Sequence, residues 1–201
     1  VTAVILAGGL GKRLRPVISD RPKVLANVLG KPFIEHLLDR IEVCGIRKAV
    51  LCAGFMADLL DAAYRDGYGN VDIRISRERE LLGTGGAIRN ALPLLESETA
   101  LVMNGDSFCS SSFETFFERH RAVASDRSML LVHCADCRDY GRVETGESGR
   151  ITAYVEKDGA AGPGWVNAGV YVLSRAAIES IPKRSPISME QDDFPSWLPE
   201  G

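Results

Sequence analysis

The residues best suited to chemistry lie in a glycine-rich, basic segment that follows the first apolar run of the 201-residue chain. Its three glycines allow the backbone to approach a triphosphate closely and to direct N–H groups at it. Basic side chains in and after the segment would neutralise phosphate charge. A plain glycine turn with a solvated basic face is the competing interpretation. The predicted nucleotide-binding residues of this segment are Leu6, Ala7, Gly8, Gly9, Gly11, Lys12 and Arg13, and Lys23 follows as a further cation.

Two familiar nucleotide-binding motifs do not fit the spacing of this segment. A dinucleotide fingerprint built on Gly9 and Gly11 requires glycine at position 14, which is a leucine. A P-loop ending at Lys12 requires glycine at position 6 and serine or threonine at position 13, where the chain has leucine and arginine. The segment therefore predicts a phosphate site of another class.

An acidic turn closes the apolar run Leu101–Ser107. Asp106 lies where the carboxyl end of a strand would open into a cleft. Magnesium prefers oxygen ligands, commonly one or two carboxylates together with phosphate oxygens and water. Asp106 is therefore the candidate metal ligand, and a turn or helix cap is the structural alternative.

A second glycine-rich loop, Leu82–Ile88, enters a helical pattern. Its glycines permit close packing against a flat nucleobase, and its backbone groups could read the edge of the base. A simple helix-start loop is the alternative. The predicted nucleotide contacts in this loop are Gly83, Thr84 and Gly86.

Apolar runs that favour strands alternate with longer helical patterns. The predicted strands are 2–7, 48–53, 71–76, 99–104 and 128–134, and the predicted helices are 32–44, 56–66, 84–92 and 111–123. This alternation predicts β-α-β units in a single domain over residues 1–201, a three-layer α/β fold with a mixed, mostly parallel sheet. Shorter runs at 141–145, 150–157 and 165–173 predict an antiparallel or mixed extension.

The composition argues against several classes of function. A net charge of -3 provides no basic field for nucleic acid, and no apolar run reaches the roughly 18 residues needed to span a bilayer. Five cysteines in mostly apolar stretches favour reduced thiols in a cytoplasmic protein. Cys134 and Cys137 form a C-x-x-C beside His133, but no second pair with zinc-ligand spacing follows. Assembly into a homo-oligomer is left open.

The stretch L-A-G-G-L-G-K-R-L-R-P…R-P-K-V-L-A-N-V-L-G-K-P resembles the signature of the sugar-1-phosphate nucleotidyltransferases. The departures are Lys12, where the family usually has threonine, and Val24 and Asn27, where it has proline. The resemblance implies a Rossmann-like nucleotide-diphospho-sugar transferase fold with Mg²⁺ at the N-G-D aspartate, Asp106. It also implies a catalytic role for Arg13 on the β- and γ-phosphates, and for Lys23 at the α-phosphate and the sugar phosphate.

Three downstream clusters resemble the family's sugar site: D-Y-G-R-V, V-E-K and V-N-A-G-V-Y. The resemblance implies that the Gly141 backbone touches the sugar and that Glu156 accepts hydrogen bonds from its hydroxyls. It further implies that Lys157 holds the sugar phosphate and that Asn167 contacts hydroxyls. Each cluster is weak alone, since an exposed Glu-Lys pair is usually solvated.

The substrates are also suggested by resemblance. The loop L-G-T-G-G-A-I resembles that of members using GTP, especially heptose 1-phosphate guanylyltransferases, so GTP and D-glycero-D-manno-heptose 1-phosphate are the preferred pair. The alternatives are mannose or glucose 1-phosphate with GTP, UTP, CTP or dTTP, and a catalytically silent regulatory subunit that binds nucleotide sugar. The family's D-I-G-T-P stretch, which carries a second metal carboxylate, does not follow S-M-E-Q-D-D-F-P in the 201 residues.

Overall fold

Parallel strands form one half of the central sheet in the computed structural model, which describes residues 1–9, 20–156, 159 and 161–198. The strands are β1 (Thr2–Leu6), β4 (Lys48–Ala53), β5 (Asp72–Arg77) and β6 (Thr99–Asn104), arranged in the order β5-β4-β1-β6. The central strands are apolar and buried, as expected for a parallel sheet covered on both faces. Their carboxyl ends therefore meet at one edge of the sheet.

Antiparallel strands form the other half. The long strand β10 (Gly164–Ser174) pairs with β6, β7 (Arg127–Cys134) and β8 (Arg142–Thr145), and β8 pairs with β9 (Ile151–Val155). An irregularity in the β10–β7 register falls between Asn167 and Tyr171. A small hairpin, β2 (Asn27–Val28) with β3 (Lys31–Pro32), lies apart from the main sheet.

Helices cover both faces of the sheet. One apolar core packs α1 (Phe33–Val43), α2 (Ala57–Tyr64) and α4 (Phe113–Ala122) against one face, and a second packs α3 (Gly83–Ala91) and α5 (Arg175–Ser180) against the other. In α1 the fully buried residues recur at helical spacing: Ile34, Leu37, Leu38 and Ile41. Gly45 ends this helix with a φ of 76°, a conformation that favours glycine. The predicted three-layer α/β fold is confirmed.

The C-terminal part of the described chain is helical. A π-helical turn at Met189–Asp193 leads into α6 (Phe194–Trp197). Ile187, Met189 and Phe194 belong to the second apolar core, so this segment is packed rather than loosely attached. No helix in the described ranges is both long enough and apolar enough to cross a membrane.

Candidate active site

The site begins where β1 and β6 end side by side. Leu6 is in register with Asn104, and the Gly105 amide donates to the Leu6 carbonyl over 3.0 Å. This pairing places the loop after β1 beside the loop that carries Asp106. In open α/β sheets, ligands bind in such crevices at the carboxyl ends of strands. Two separately predicted loops therefore begin side by side at one edge of the sheet.

Lys23 reaches into the same cleft from a short 3-10 turn, Lys23–Leu25. The turn is anchored by Val24, which is buried in the core between α1 and the sheet. Lys23 Nζ lies 2.8 Å from Asp106 Oδ2, and the Ser107 hydroxyl lies 3.3 Å from Asp106 Oδ1. The Lys23 and Asp106 side chains are 37% and 51% exposed, so ligands could reach both. The predicted cation and the predicted metal ligand are thus direct neighbours.

The residues at Asp106 fit a hard divalent cation that is held partly by substrate. Asp106 supplies an exposed carboxylate, and no group of three or more His, Cys, Asp or Glu residues in the described ranges could hold a metal. Magnesium commonly uses one or two carboxylates and completes its shell with phosphate oxygens and water. An ion at Asp106 would therefore arrive with its phosphate ligands.

Glu78 is a carboxylate of this cleft that the sequence analysis missed. It directly follows β5, and its amide donates to the Ala53 carbonyl over 2.9 Å. A Cβ atom on Gly8 would overlap Glu78 Oε1 and would lie 3.2 Å from the Gly54 amide nitrogen. A side chain at position 8 would therefore displace this half-buried carboxylate. Burial raises the pKa of Glu78, and a hydrogen bond from the Leu82 backbone opposes that shift.

The second glycine loop is tied to the C-terminal segment. The amides of Gly85 and Gly86 donate to the Ile187 carbonyl over 3.0 and 3.4 Å. The Thr84 hydroxyl donates to Glu190 Oε2 over 2.8 Å and accepts from the Met189 amide over 2.8 Å. Thr84 and the Gly86 amide, both predicted nucleotide contacts, are thus engaged with this segment, which holds the loop in place.

Asp193 lies behind the same loop. It is 2% exposed, and its Oδ2 atom has no hydrogen-bond partner among the residues that the structure describes. A Cβ atom on Gly85 would overlap this oxygen, so the carboxylate packs directly against the start of α3. Burial raises the pKa of Asp193 to about 6, and the neighbouring charge of Asp192 adds to the shift.

The predicted sugar-side residues converge on the antiparallel half of the sheet. The backbone N–H of Asn167 donates to the Gly141 carbonyl over 3.0 Å. This bond joins the D-Y-G-R-V cluster to the V-N-A-G-V-Y cluster. A Cβ atom on Gly141 would lie 2.9 Å from Glu156 Oε2 and would overlap the Tyr154 hydroxyl oxygen. The structure therefore brings Gly141, Glu156 and Asn167 together, with Tyr154 as an additional member.

Several predicted residues lie outside the described ranges, namely Gly11, Lys12, Arg13 and Lys157. Their roles stay predictions. The C-x-x-C thiols have local partners: Cys134 Sγ lies 3.1 Å from the Asp136 carbonyl, and the buried Cys137 Sγ lies 4.0 Å from the Cys134 carbonyl.

Comparisons with known proteins give a consistent family. Residues 2–199 match the nucleotidyl transferase family. A mannose-1-phosphate guanylyltransferase from Mycobacterium tuberculosis is 36% identical over 202 residues, covering 100% of this chain but 56% of the relative. A D-glycero-alpha-D-manno-heptose 1-phosphate guanylyltransferase from Aneurinibacillus thermoaerophilus is 35% identical over 190 residues, covering 94% of this chain and 82% of the relative. The chain thus spans little more than half of the mannose relative's length.

Two crystal structures of one protein, HddC, also resemble this chain in fold and sequence. The crystal structure of HddC from Yersinia pseudotuberculosis has a TM-score of 0.84 and 36% identity, over 96% of this chain and 85% of HddC. The same protein has been solved in complex with GMP-PN, with a TM-score of 0.83 to this chain.

Proposed function

The chain belongs to the nucleotidyl transferase family, and on that premise we propose that it is a sugar-1-phosphate guanylyltransferase. The observation that carries the proposal is the contact between Lys23 and Asp106 at the carboxyl ends of β1 and β6. A cation and a metal-ligating acid at one cleft suit a reaction in which polyphosphate charge must be held and redistributed. Both side chains are exposed enough to exchange their mutual contact for substrate.

The reaction needs no enzyme nucleophile. A phosphate oxygen of the sugar 1-phosphate would form a bond to the α-phosphorus of GTP, while the bond to the β-phosphate bridging oxygen breaks and pyrophosphate leaves. Lys23 would neutralise charge at the α-phosphate and the incoming phosphate, and Arg13 would hold the departing β- and γ-phosphates. Asp106 would hold Mg²⁺, which when bound supplies positive charge to the phosphates.

The preference for guanine is proposed on the position of Glu78. Its carboxylate lies against Gly8, two residues beyond β1, and accepts a hydrogen bond from the backbone of Leu82. Leu82 begins the second glycine-rich loop, Leu82–Ile88, which is the proposed base loop. Guanine presents two adjacent donors, N1–H and the N2 amino group, which a carboxylate can accept together. Uracil and thymine offer one ring N–H at the equivalent edge. The GMP-PN complex of HddC supports a guanine nucleotide.

A manno-configured sugar 1-phosphate is the proposed acceptor. The named relatives at 35% and 36% identity act on heptose and mannose 1-phosphates. Glu156 and Asn167, adjacent to the Gly141 backbone, provide an acceptor and a mixed donor–acceptor group for sugar hydroxyls. D-glycero-D-manno-heptose 1-phosphate is the first choice because the loop at 82–88 resembles that of heptose 1-phosphate guanylyltransferases, and mannose 1-phosphate is the second.

A substrate panel tests the proposal. Purified protein with Mg²⁺ would be mixed with GTP, UTP, CTP or dTTP and with heptose, mannose or glucose 1-phosphate, while pyrophosphate and nucleotide sugar are measured. We expect GTP with a manno-configured acceptor to exceed every other pair. Binding of GDP-sugar without pyrophosphate release from any pair would reject the enzyme and favour a regulatory subunit. A pair containing another nucleotide as the best substrate would reject the guanine assignment alone.

A further inference from the structure

We propose that Tyr154 is a positioning residue that sets sugar specificity by orienting the Glu156 carboxylate. This inference rests on the proposed function. The Tyr154 hydroxyl donates to Glu156 Oε2 over 2.7 Å. Tyr154 lies on β9 opposite Val143 of β8, so the sheet fixes its backbone next to the strand that begins just after Gly141.

The Tyr154 hydroxyl oxygen and Glu156 Oε2 both lie where a side chain at Gly141 would begin. A Cβ atom on Gly141 would overlap the Tyr154 hydroxyl oxygen and lie 2.9 Å from Glu156 Oε2. The hydroxyl and the carboxylate therefore face the Gly141 backbone, which is joined to Asn167 by a 3.0 Å hydrogen bond. Tyr154 thus lies among the residues proposed to contact sugar hydroxyls.

The Tyr154 ring is held from behind by an aromatic cluster. Phe194 packs edge-on against it, with ring centroids 5.1 Å apart, and packs against Tyr171 at 5.3 Å. Tyr171 is 1% exposed, and its hydroxyl accepts from Asn167 Nδ2 over 2.9 Å. The hydroxyl of Tyr154 is consequently aimed by packing, and the same cluster supports the Asn167 amide.

The hydrogen bond from Tyr154 restricts the orientation in which the Glu156 carboxylate can accept hydrogen bonds from a sugar. Burial raises the pKa of Tyr154, so its hydroxyl remains a proton donor at neutral pH. The donation engages Glu156 Oε2 and restricts the orientation of the carboxylate, and therefore the directions from which it can accept hydrogen bonds from sugar hydroxyls. A carboxylate held in one orientation distinguishes epimers better than a mobile one, because it cannot turn to reach a hydroxyl of the wrong configuration.

Tyr154→Phe tests the inference because it removes only the hydroxyl and keeps the ring packing. The KM for the sugar 1-phosphate is expected to rise roughly ten-fold, the size expected from one hydrogen bond to a charged group. The KM for GTP should not change, and the ratio of kcat/KM for mannose over glucose 1-phosphate should fall. In a Glu156→Gln background, Tyr154→Phe should have a much smaller effect.

Tyr68→Phe is the matched control, since the Tyr68 hydroxyl also donates to a carboxylate, Asp39 Oδ1, over 2.8 Å, but on the α1 face. Should Tyr154→Phe fail to fold, Gly141→Ala provides a second test, because its methyl group would displace both oxygens and should raise the same KM. An unchanged sugar KM and epimer ratio in a folded Tyr154→Phe protein that still turns over would overturn the inference alone. Failure of the wild-type protein to turn over any pair would overturn the proposed function, and the inference with it.

Discussion

Lys23 Nζ and Asp106 Oδ2 lie 2.8 Å apart, although 83 residues separate them in the chain. Separate elements position the two residues. Lys23 lies on a turn anchored by the buried Val24, and Asp106 lies on the loop after β6. The ion pair is exposed, so its own contribution to stability is small and it can open at low cost. In the proposed reaction, the two charges separate toward the phosphates and the metal.

Asp106→Asn should abolish most turnover without unfolding the protein. The amide keeps the size of the side chain but removes the charge proposed to hold Mg²⁺, so kcat should fall by about 100-fold or more. Pyrophosphate release at saturating substrates measures the effect. Asp72→Asn, at the amino end of β5, is the control and should leave kcat unchanged. Wild-type turnover by Asp106→Asn would remove this residue from the mechanism.

Glu78→Gln should weaken the preference for GTP. Glutamine can accept only through its oxygen and places an amino group where the second guanine donor would lie, so kcat/KM for GTP should fall by roughly 10- to 100-fold. The values for UTP and dTTP should change much less. Since burial raises the pKa of Glu78, a neutral residue there should not destabilise the fold.

Glu80→Gln is the matched control for Glu78→Gln, because Glu80 is exposed two residues later. Both variants are compared by the ratio of kcat/KM for GTP over UTP. An equal ratio in Glu78→Gln and the wild-type protein would exclude Glu78 as the reader of the base.

Thr84→Val should loosen the base loop. Valine keeps the shape of the side chain but loses the hydrogen bonds to Glu190 and to the Met189 amide. We expect a loss of about 2 kcal/mol in the free energy of unfolding and an increase in the KM for GTP, since the loop would be less fixed. Chemical denaturation and steady-state kinetics measure the two effects. Thr115→Val, at an exposed position of α4, should change neither value. A Thr84→Val variant as stable as the wild-type protein would contradict the proposed tie.

Asp193 should give the protein a pH-dependent stability. Its pKa in the fold is about 6, above the ordinary value of 3.8. A raised carboxylate pKa means that its stabilising contribution is complete below about pH 4 and is lost as the pH rises through about 6. Relative to Asp193→Asn, the wild-type protein should therefore lose about 2–3 kcal/mol of unfolding free energy between pH 4 and pH 8.

Asp192→Asn serves as a control of opposite sign for this prediction. Hydrogen bonds from the Ser188 backbone and Arg184 lower the pKa of Asp192, so its contribution is present at neutral pH and is lost in acid. Urea unfolding at a series of pH values measures both variants. Parallel stability curves for Asp193→Asn and the wild-type protein would show that Asp193 does not titrate differently in the fold.

Much of the fold was predictable because the apolar patterns are strong. The predicted strand at 48–53 and the predicted helix at 32–44 match β4 and α1 within one residue at each end. The β2–β3 hairpin was not predicted, since its strands have two residues each and Asn27 and Val28 are exposed. Such short strands carry no periodicity to detect.

The position of the candidate site was predictable where a motif ends a strand. The first residues after β1 and the Asp106 turn after β6 lie side by side because parallel neighbouring strands end at the same edge. Glu78 was missed because it lies in a charged run, Arg77–Glu80, that is typical of a solvated surface. Only the pairing of β5 beside β4 turns it toward Gly8.

The sequence analysis also missed the contacts between the second glycine-rich loop and the C-terminal segment, for a different reason. Thr84 and Glu190 are 106 residues apart, and no local pattern reports a contact over that separation. Sequence alone therefore located the loop and predicted Thr84 as a nucleotide contact, but it could not show that the Thr84 hydroxyl bonds to the C-terminal segment.

Strand β10 belongs to both halves of the sheet at once. Its Val170–Ser174 stretch is bonded to β6, which leads to Asp106, whereas its Trp165 and Val166 pair with β8. One continuous strand therefore sets the span between the proposed phosphate end and the proposed acceptor end of the site. Grafting another β8–β9 hairpin onto this strand would retarget acceptor choice while the machinery at the opposite end keeps its geometry.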